Sequence, residues 1–204
     1  MRCVIIGGAA INNVSAIKKY LKTDDYIICC DSGLYNAQKL EITPHLIIGD
    51  FDSHPKPDSD IETITLPCEK DDTDTVYAAK EALSRGFDDF LLLGAAGDRL
   101  DHTLGNVSVL LNLFEKGKTA MLADDFSEME IVGSAPKTVS KSFSYFSLLA
   151  FCGSAGKVTV TGAKYPLENA CINCDYPYGI SNQVMGDKAV VSVKKGRLLL
   201  IKVR

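Results

Sequence analysis

Aspartates recur in three short clusters along this chain. Asp50 and Asp52 lie in LIIGDFDS, Asp71, Asp72 and Asp74 in KDDTD, and Asp98 and Asp101 in GDRLD. Leu46, Ile47 and Ile48 predict a short buried strand, with Gly49 as the turn that ends it. An extended backbone beyond that turn throws Asp50 and Asp52 to the same side. Two carboxylates about 5 Å apart repel by on the order of 3 kcal/mol at an effective dielectric of about 20. Protonating one of them, or binding a cation, removes that cost. The three clusters together read as parts of one magnesium and phosphate site.

The chain around them has 204 residues, enough for one large domain or two small ones. A hydrophobic fraction of 46% can fill a core, and 24% charged residues is ordinary for a soluble protein. The net charge of −4 comes with no basic run, which argues against a general nucleic-acid binder. The amino terminus, MRCVIIGG, enters a strand pattern without a cationic leader, and no apolar run reaches the roughly 20 residues of a membrane helix. A cytoplasmic protein is the simplest expectation. The 7 cysteines are an odd number, mostly in apolar runs, and read as packed thiols rather than a disulfide framework. Cys171 and Cys174 form a C-x-x-C without a second pair or paired histidines, too little for a zinc site.

The elements that must position the aspartates alternate. Arg2 to Ile6 predicts a strand, Gly7-Gly8 a turn, and Asn12 or Asn13 the cap of a helix carrying Val14, Ile17 and Leu21. GGAAINN matches no dinucleotide or Walker fingerprint, so an ordinary strand-to-helix turn is favoured over a phosphate cradle there. Tyr26 to Cys30 predicts a second strand that delivers Asp31 to its carboxyl end, the edge where open α/β sheets place ligands. An EF-hand starting at Asp50 fails, because Pro55 and Ile61 stand where glycine and glutamate are required. Ile61 to Leu66 reads as a strand, and KDDTD leads into a helix with Val76, Ala79 and Leu83 on one face.

Phe90 to Leu93 predicts the next strand, followed by the glycine-rich GAAGDRLDH. Arg99 in that loop carries the planar fork that chelates phosphate, Asp101 suits a metal ligand or a helix cap, and His102 reads as a packed neighbour. Leu104, Val107, Leu111 and Phe114 mark a helical stripe, and Thr119 to Ala123 a further strand. Strand and helix thus alternate to about residue 133, which implies a parallel sheet with flanking helices. From residue 134 helical periodicity fades. Strand candidates at 142–148, 157–161, 189–193 and 198–203 imply a small all-β domain, with Tyr176 to Gln183 as its polar loop.

Taken in order, GDFDS at 49–53, KDDTD at 70–74 and GAAGDRLDHTLGN at 94–106 resemble the thiamine pyrophosphokinase (thiamine diphosphokinase) family, and DSGLYNA at 31–37 and GISNQ at 179–183 fit it too. The resemblance spans nearly the whole chain. It implies an α/β fold, with a Rossmann-like, mostly parallel ATP-binding domain at 1–133 and a thiamine-binding β-sandwich at 134–204. It implies transfer of pyrophosphate from ATP to thiamine, giving thiamine diphosphate and AMP, with Mg2+. The partners it implies are thiamine, ATP as co-substrate and a second copy, a homodimer with the active site between nucleotide domain and sandwich. Asp31, Asp50, Asp52, Asp74 and Asp101 would surround magnesium and polyphosphate, with Asp71 in the same motif. Asp50, Asp52, Asp74 and Asp101 would carry the metal and the chemistry, and Asp74 or Asp52 the proton transfer. Arg99 would contact ATP, and Ser181 and Asn182 would hold thiamine, with Tyr176 and Tyr178 as candidates to stack on its cationic ring.

Two positions depart from the family pattern: Asp98 replaces a glycine, and Gln183 an acidic residue. The competing enzyme is a phosphohydrolase of the haloacid-dehalogenase type, for which IIGDFDS is a superficial match, with His54 where threonine or valine is required. The competing non-enzyme is a nucleotide- or thiamine-binding module.

Overall fold

The computed structural model describes residues 1–51, 58–69, 71–97 and 99–204, so Asp52, His54, Lys70 and Asp98 lie outside the described residues. The chain divides into two compact units, Met1–Asp125 and Phe126–Arg204.

In the first unit, strands β1 (Arg2–Ile6), β2 (Tyr26–Cys30), β3 (Leu46–Gly49), β4 (Glu62–Thr65), β5 (Asp89–Leu93) and β6 (Thr119–Ala123) alternate with helices. The helices are α1 (Val14–Lys18), α2 (Gly33–Lys39), α3 (Asp74–Ser84) and α4 (Leu100–Glu115). The strands lie in the order β4-β3-β2-β1-β5-β6, and every pairing among them is parallel. β1, β2, β3 and β5 are buried along almost their whole length, as parallel strands covered on both faces must be. The chain leaves β1 on one side for β2 and returns on the other for β5. Such a reversal opens a crevice at the carboxyl ends of the strands.

Asn13 caps α1, accepting a bond from the Ala16 amide at 3.1 Å. That helix is short, and Leu21 falls beyond it. α3 buries Ala78, Ala79 and Ala82, whose small side chains let it sit close on β1, β2 and β3; Val76 and Leu83 are only half-buried. α4 departs further from the expected stripe. Its buried face is Asn106, Val107, Val109, Leu110 and Leu113, while Leu104 is 46% exposed. The reason is polar: Asn106 points inward, its Nδ2 donating to the Ala95 carbonyl at 2.7 Å, and the helix is rotated to suit.

The second unit is all β, from β7 (Ser127–Val132), β8 (Lys137–Ser140), β9 (Tyr145–Leu149) and β10 (Ser154–Thr161) to β11 (Leu167–Asn173), β12 (Gly179–Asn182), β13 (Lys188–Ser192) and β14 (Leu198–Val203). Antiparallel sheets β12-β9-β14-β7 and β11-β10-β13-β8 face one another across a shared core. Phe146, Leu148, Leu198 and Leu200 from one sheet meet Val139, Val158, Val160 and Val191 from the other, a β-sandwich. Part of the expected polar loop at 176–183 is in fact strand β12, paired to β9 through an irregular register. Ser181 adopts φ 60 and Ile180 stays 51% exposed, so no apolar alternation announces that strand.

Candidate active site

A cavity of about 600 Å³ opens at the carboxyl ends of the first unit's strands, lined by Asp31, Asp50, Asp74 and two glycine turns. Asp31 follows β2 with φ 38, and its amide donates to the Ile48 carbonyl at 2.8 Å. Gly49 permits this approach, since a Cβ there would lie 3.2 Å from the Asp31 Cα. The ends of β2 and β3 are thereby held together, with Asp31 and Asp50 on the cavity wall. Phe51, the residue after Asp50, has φ 55 and so takes a left-handed rather than an extended backbone conformation. Asp31 just beyond β2 and Phe51 just beyond β3 are both non-glycine residues in the left-handed region, strain of the kind that collects at functional sites.

The turn after β1, expected to be an ordinary connection, also lines the cavity, beside the turn after β5. Gly7 donates to the Leu93 carbonyl at 2.8 Å and Ala9 to that of Gly94 at 2.9 Å. A Cβ on Gly7 would lie 2.5 Å from the Gly94 oxygen, and one on Gly94 2.5 Å from the Gly7 oxygen, so both positions require glycine.

KDDTD separates by role. Thr73 caps α3, its hydroxyl accepting from the Val76 amide at 3.3 Å, and Asp74 occupies the first turn at the cavity. Asp71 is exposed, and Asp72 pairs with Lys80 at 2.5 Å; neither lines the cavity. At the start of α4, Arg99 and His102 do line it, whereas Asp101 does not. Asp101 is bound by the Arg99 fork, Nε to Oδ1 at 3.0 Å and Nη2 to Oδ2 at 2.7 Å. That guanidinium holds the Asp101 carboxyl well below the usual carboxylate range. Thr103 ties the turn down, its hydroxyl accepting from the Gly97 amide at 3.1 Å.

The second unit has its own cavity of about 380 Å³, bounded by Tyr165, Tyr178, Ile180, Leu148 and Asn182. Asn182 is buried and engaged: Oδ1 accepts from the amides of Tyr165 at 3.0 Å and Gln183 at 2.9 Å, and Nδ2 donates to the Tyr165 carbonyl at 2.7 Å. Ser181 is exposed on β12, its amide donating to the Ser147 hydroxyl at 3.1 Å. Tyr176 stacks on Tyr178 with centroids 6.4 Å apart and so supports the cavity wall without lining it.

Residues 17–122 match the family described as "Thiamin pyrophosphokinase, catalytic domain", and residues 136–198 match "Thiamin pyrophosphokinase, vitamin B1 binding domain". The chain belongs to the thiamin pyrophosphokinase family. The thiamine pyrophosphokinase of Bacillus subtilis is 27% identical over 206 residues, covering 97% of this chain and 96% of that protein. A crystal structure of the Bacillus subtilis thiamine pyrophosphokinase aligns with a TM-score of 0.88 at 25% identity, over 100% of this chain and 99% of that one. That of the Geobacillus thermodenitrificans thiamin pyrophosphokinase gives 0.85 at 27% identity, over 100% and 98%.

Family membership makes the donor set at the cavity the relevant test for a divalent cation. Among the described residues, no group of three or more His, Cys, Asp or Glu side chains is close enough to hold a metal alone. Magnesium, however, prefers oxygen and binds through one or two carboxylates while substrate phosphates and waters complete its shell. Asp31, Asp50 and Asp74 around a space open to phosphate suit that mode. Cys30 also borders the cavity, but burial pushes its thiol well above the ordinary range and makes it a poor ligand.

Three supporting residues were not singled out from the sequence: Thr103, Asn106 and Asn36, whose Nδ2 donates to the carbonyls of Gly7 and Ala9. Each sits on a helix, where a polar side chain ordinarily faces solvent; their place inside GLYNA and DHTLGN, next to turns, is the only hint the sequence offers. Among the described residues no helix is long and apolar enough to cross a membrane.

Proposed function

We propose that the chain transfers the pyrophosphoryl group of ATP to the hydroxyl of thiamine, giving thiamine diphosphate and AMP in a magnesium-dependent reaction. The observation that carries this reading is the convergence of Asp31, Asp50 and Asp74 from separate elements on one cavity that also holds two glycine turns. Close backbone approach suits polyphosphate, and the carboxylates suit a cation that accompanies it. Asp31, Asp50 and Asp74 would hold magnesium there with Asp52, and magnesium bound to the phosphates supplies charge neutralisation.

The chain's own residues do the rest. The Gly7 and Gly94 turns bring the backbone against the phosphates, and the amino ends of α3 and α4 favour their negative charge. Arg99 exchanges Asp101 for a phosphate, a swap between two bidentate partners of the same fork. Asp101 then acts by holding Arg99 ready for ATP. Asp74 or Asp52 accepts the thiamine hydroxyl proton.

Residues 1–133 take ATP in this scheme and residues 134–204 take thiamine, which the match of 136–198 to a vitamin B1 binding domain supports. Ser181 offers an exposed hydroxyl for thiamine and Tyr178 an aromatic face, while Asn182 shapes their surroundings. We further propose a homodimer with its active site at the subunit interface, and exposed Tyr165, Tyr176 and Tyr178 suit such a surface.

The test is incubation with thiamine, ATP and Mg2+. AMP forms in step with thiamine diphosphate if the proposal holds; ADP with thiamine monophosphate, or free phosphate without thiamine, refutes it.

A further inference from the structure

We propose that Asn36 is a positioning residue for the nucleotide, its buried carboxamide locking the two glycine turns in the shape that receives polyphosphate. This rests on the reading of the 600 Å³ cavity as the ATP site.

Asn36 lies in α2 and is 3% exposed. Its Nδ2 donates both hydrogens, to the Gly7 carbonyl at 2.7 Å and the Ala9 carbonyl at 2.9 Å. Two acceptors demand the amino side of the carboxamide, so its orientation is fixed by chemistry. Gly94 packs against the same group: a Cβ there would lie 2.7 Å from Nδ2 and 3.1 Å from the Ala9 oxygen. One side chain therefore contacts both turns, and the Ala9 amide links them by its bond to the Gly94 carbonyl.

The consequence is electrostatic. A carbonyl oxygen carries partial negative charge and repels phosphate, and a turn of this kind presents either its carbonyls or its amides to a ligand. Asn36 draws two carbonyl oxygens onto a neutral buried donor. They are then not presented to an anion, and no charge has been buried to achieve it. Only an amide does this, since aspartate in its place would face two carbonyl oxygens with a third negative group.

The test compares wild type, Asn36→Ala and Asn36→Ser as full chains, with folding followed by circular dichroism and thermal melting. Steady-state kinetics give KM for ATP and for thiamine, and calorimetry gives ATP binding without thiamine. For Asn36→Ala the ATP constants rise roughly tenfold, while KM for thiamine stays within about twofold. Asn36→Ser keeps one donor and falls between. Unchanged ATP constants in folded variants overturn the proposal, as does an equal rise for both substrates. Unfolding of both variants also overturns it, by assigning Asn36 to fold stability alone. A wild-type chain that binds no ATP overturns the functional reading, and this proposal with it.

Discussion

Lys202 is the least expected residue of the second unit, and replacing it with methionine gives a worked prediction. It follows Leu198 and Leu200 on the same face of β14, where the alternation calls for another apolar side chain. Its side chain is only 9% exposed, yet Nζ meets Glu128 at 2.6 Å and Glu130 at 3.0 Å and lies 5.4 Å from the centre of the Phe143 ring. Leaving a buried charge wholly unpaired costs about 3–5 kcal/mol. Here Glu128 keeps Arg204 at 3.0 Å and Glu130 keeps Lys137 at 2.6 Å. Methionine also retains the apolar contacts of the lysine stem. The expected cost of Lys202→Met is therefore about 2 kcal/mol, or about 4–8 °C in Tm.

The pH dependence follows from the same groups. Burial pushes the Glu130 carboxyl up, but Lys137 and Lys202 outweigh it and leave it below its ordinary 4.5. Its contribution is present above that value and is lost as pH falls through the lower, folded one. Burial pushes the Lys202 ammonium down, but Glu128 and Glu130 outweigh it and leave it above 10.5. Its contribution is full below that value and is lost as pH rises through the folded one. The gap between wild type and Lys202→Met in urea unfolding is thus full near pH 7 and closes in acid, as pH falls through the lowered Glu130 value. A variant as stable as wild type at pH 7, or a gap that persists in acid, refutes the reasoning.

Asp50→Asn and Asp74→Asn each remove a carboxylate from the cavity wall with little change in volume. Each is expected to lower kcat by on the order of 100-fold or more while leaving the circular dichroism spectrum and Tm near wild type; activity within a few-fold of wild type would sink the assignment. Cysteine accessibility offers an independent check on the fold. Cys68, Cys152, Cys171 and Cys174 are exposed, whereas Cys3, Cys29 and Cys30 are buried, with burial pushing Cys3 and Cys29 up to about 12. A thiol reagent at neutral pH should label the first set rapidly and the second only in denaturant, and rapid labelling of all of them would contradict the sheet as described.

The parallel strands were the most legible part of the fold. Arg2–Ile6, Tyr26–Cys30 and Thr119–Ala123 are strands with the bounds their sequence suggests, because a strand within a covered sheet shows as an apolar run. Expectation failed where a polar or strained residue set the geometry. Asn106 turns α4, and Ser181 conceals β12. Of the seven cysteines expected as packed thiols, those in the strands are buried and those in the loops and on β11 are not. Within the site, carboxylates announced themselves by clustering at strand ends. The amide groups behind them did not, because a buried asparagine and an exposed one look the same in sequence.

The account turns on where polyphosphate sits, and a crystal structure with Mg2+ and a non-hydrolysable ATP analogue measures that directly. The account predicts phosphates against the Gly7 and Gly94 turns, with oxygens of Asp31, Asp50 or Asp74 on the cation at about 2.0–2.1 Å. A nucleotide bound elsewhere, with those aspartates facing solvent, would contradict it.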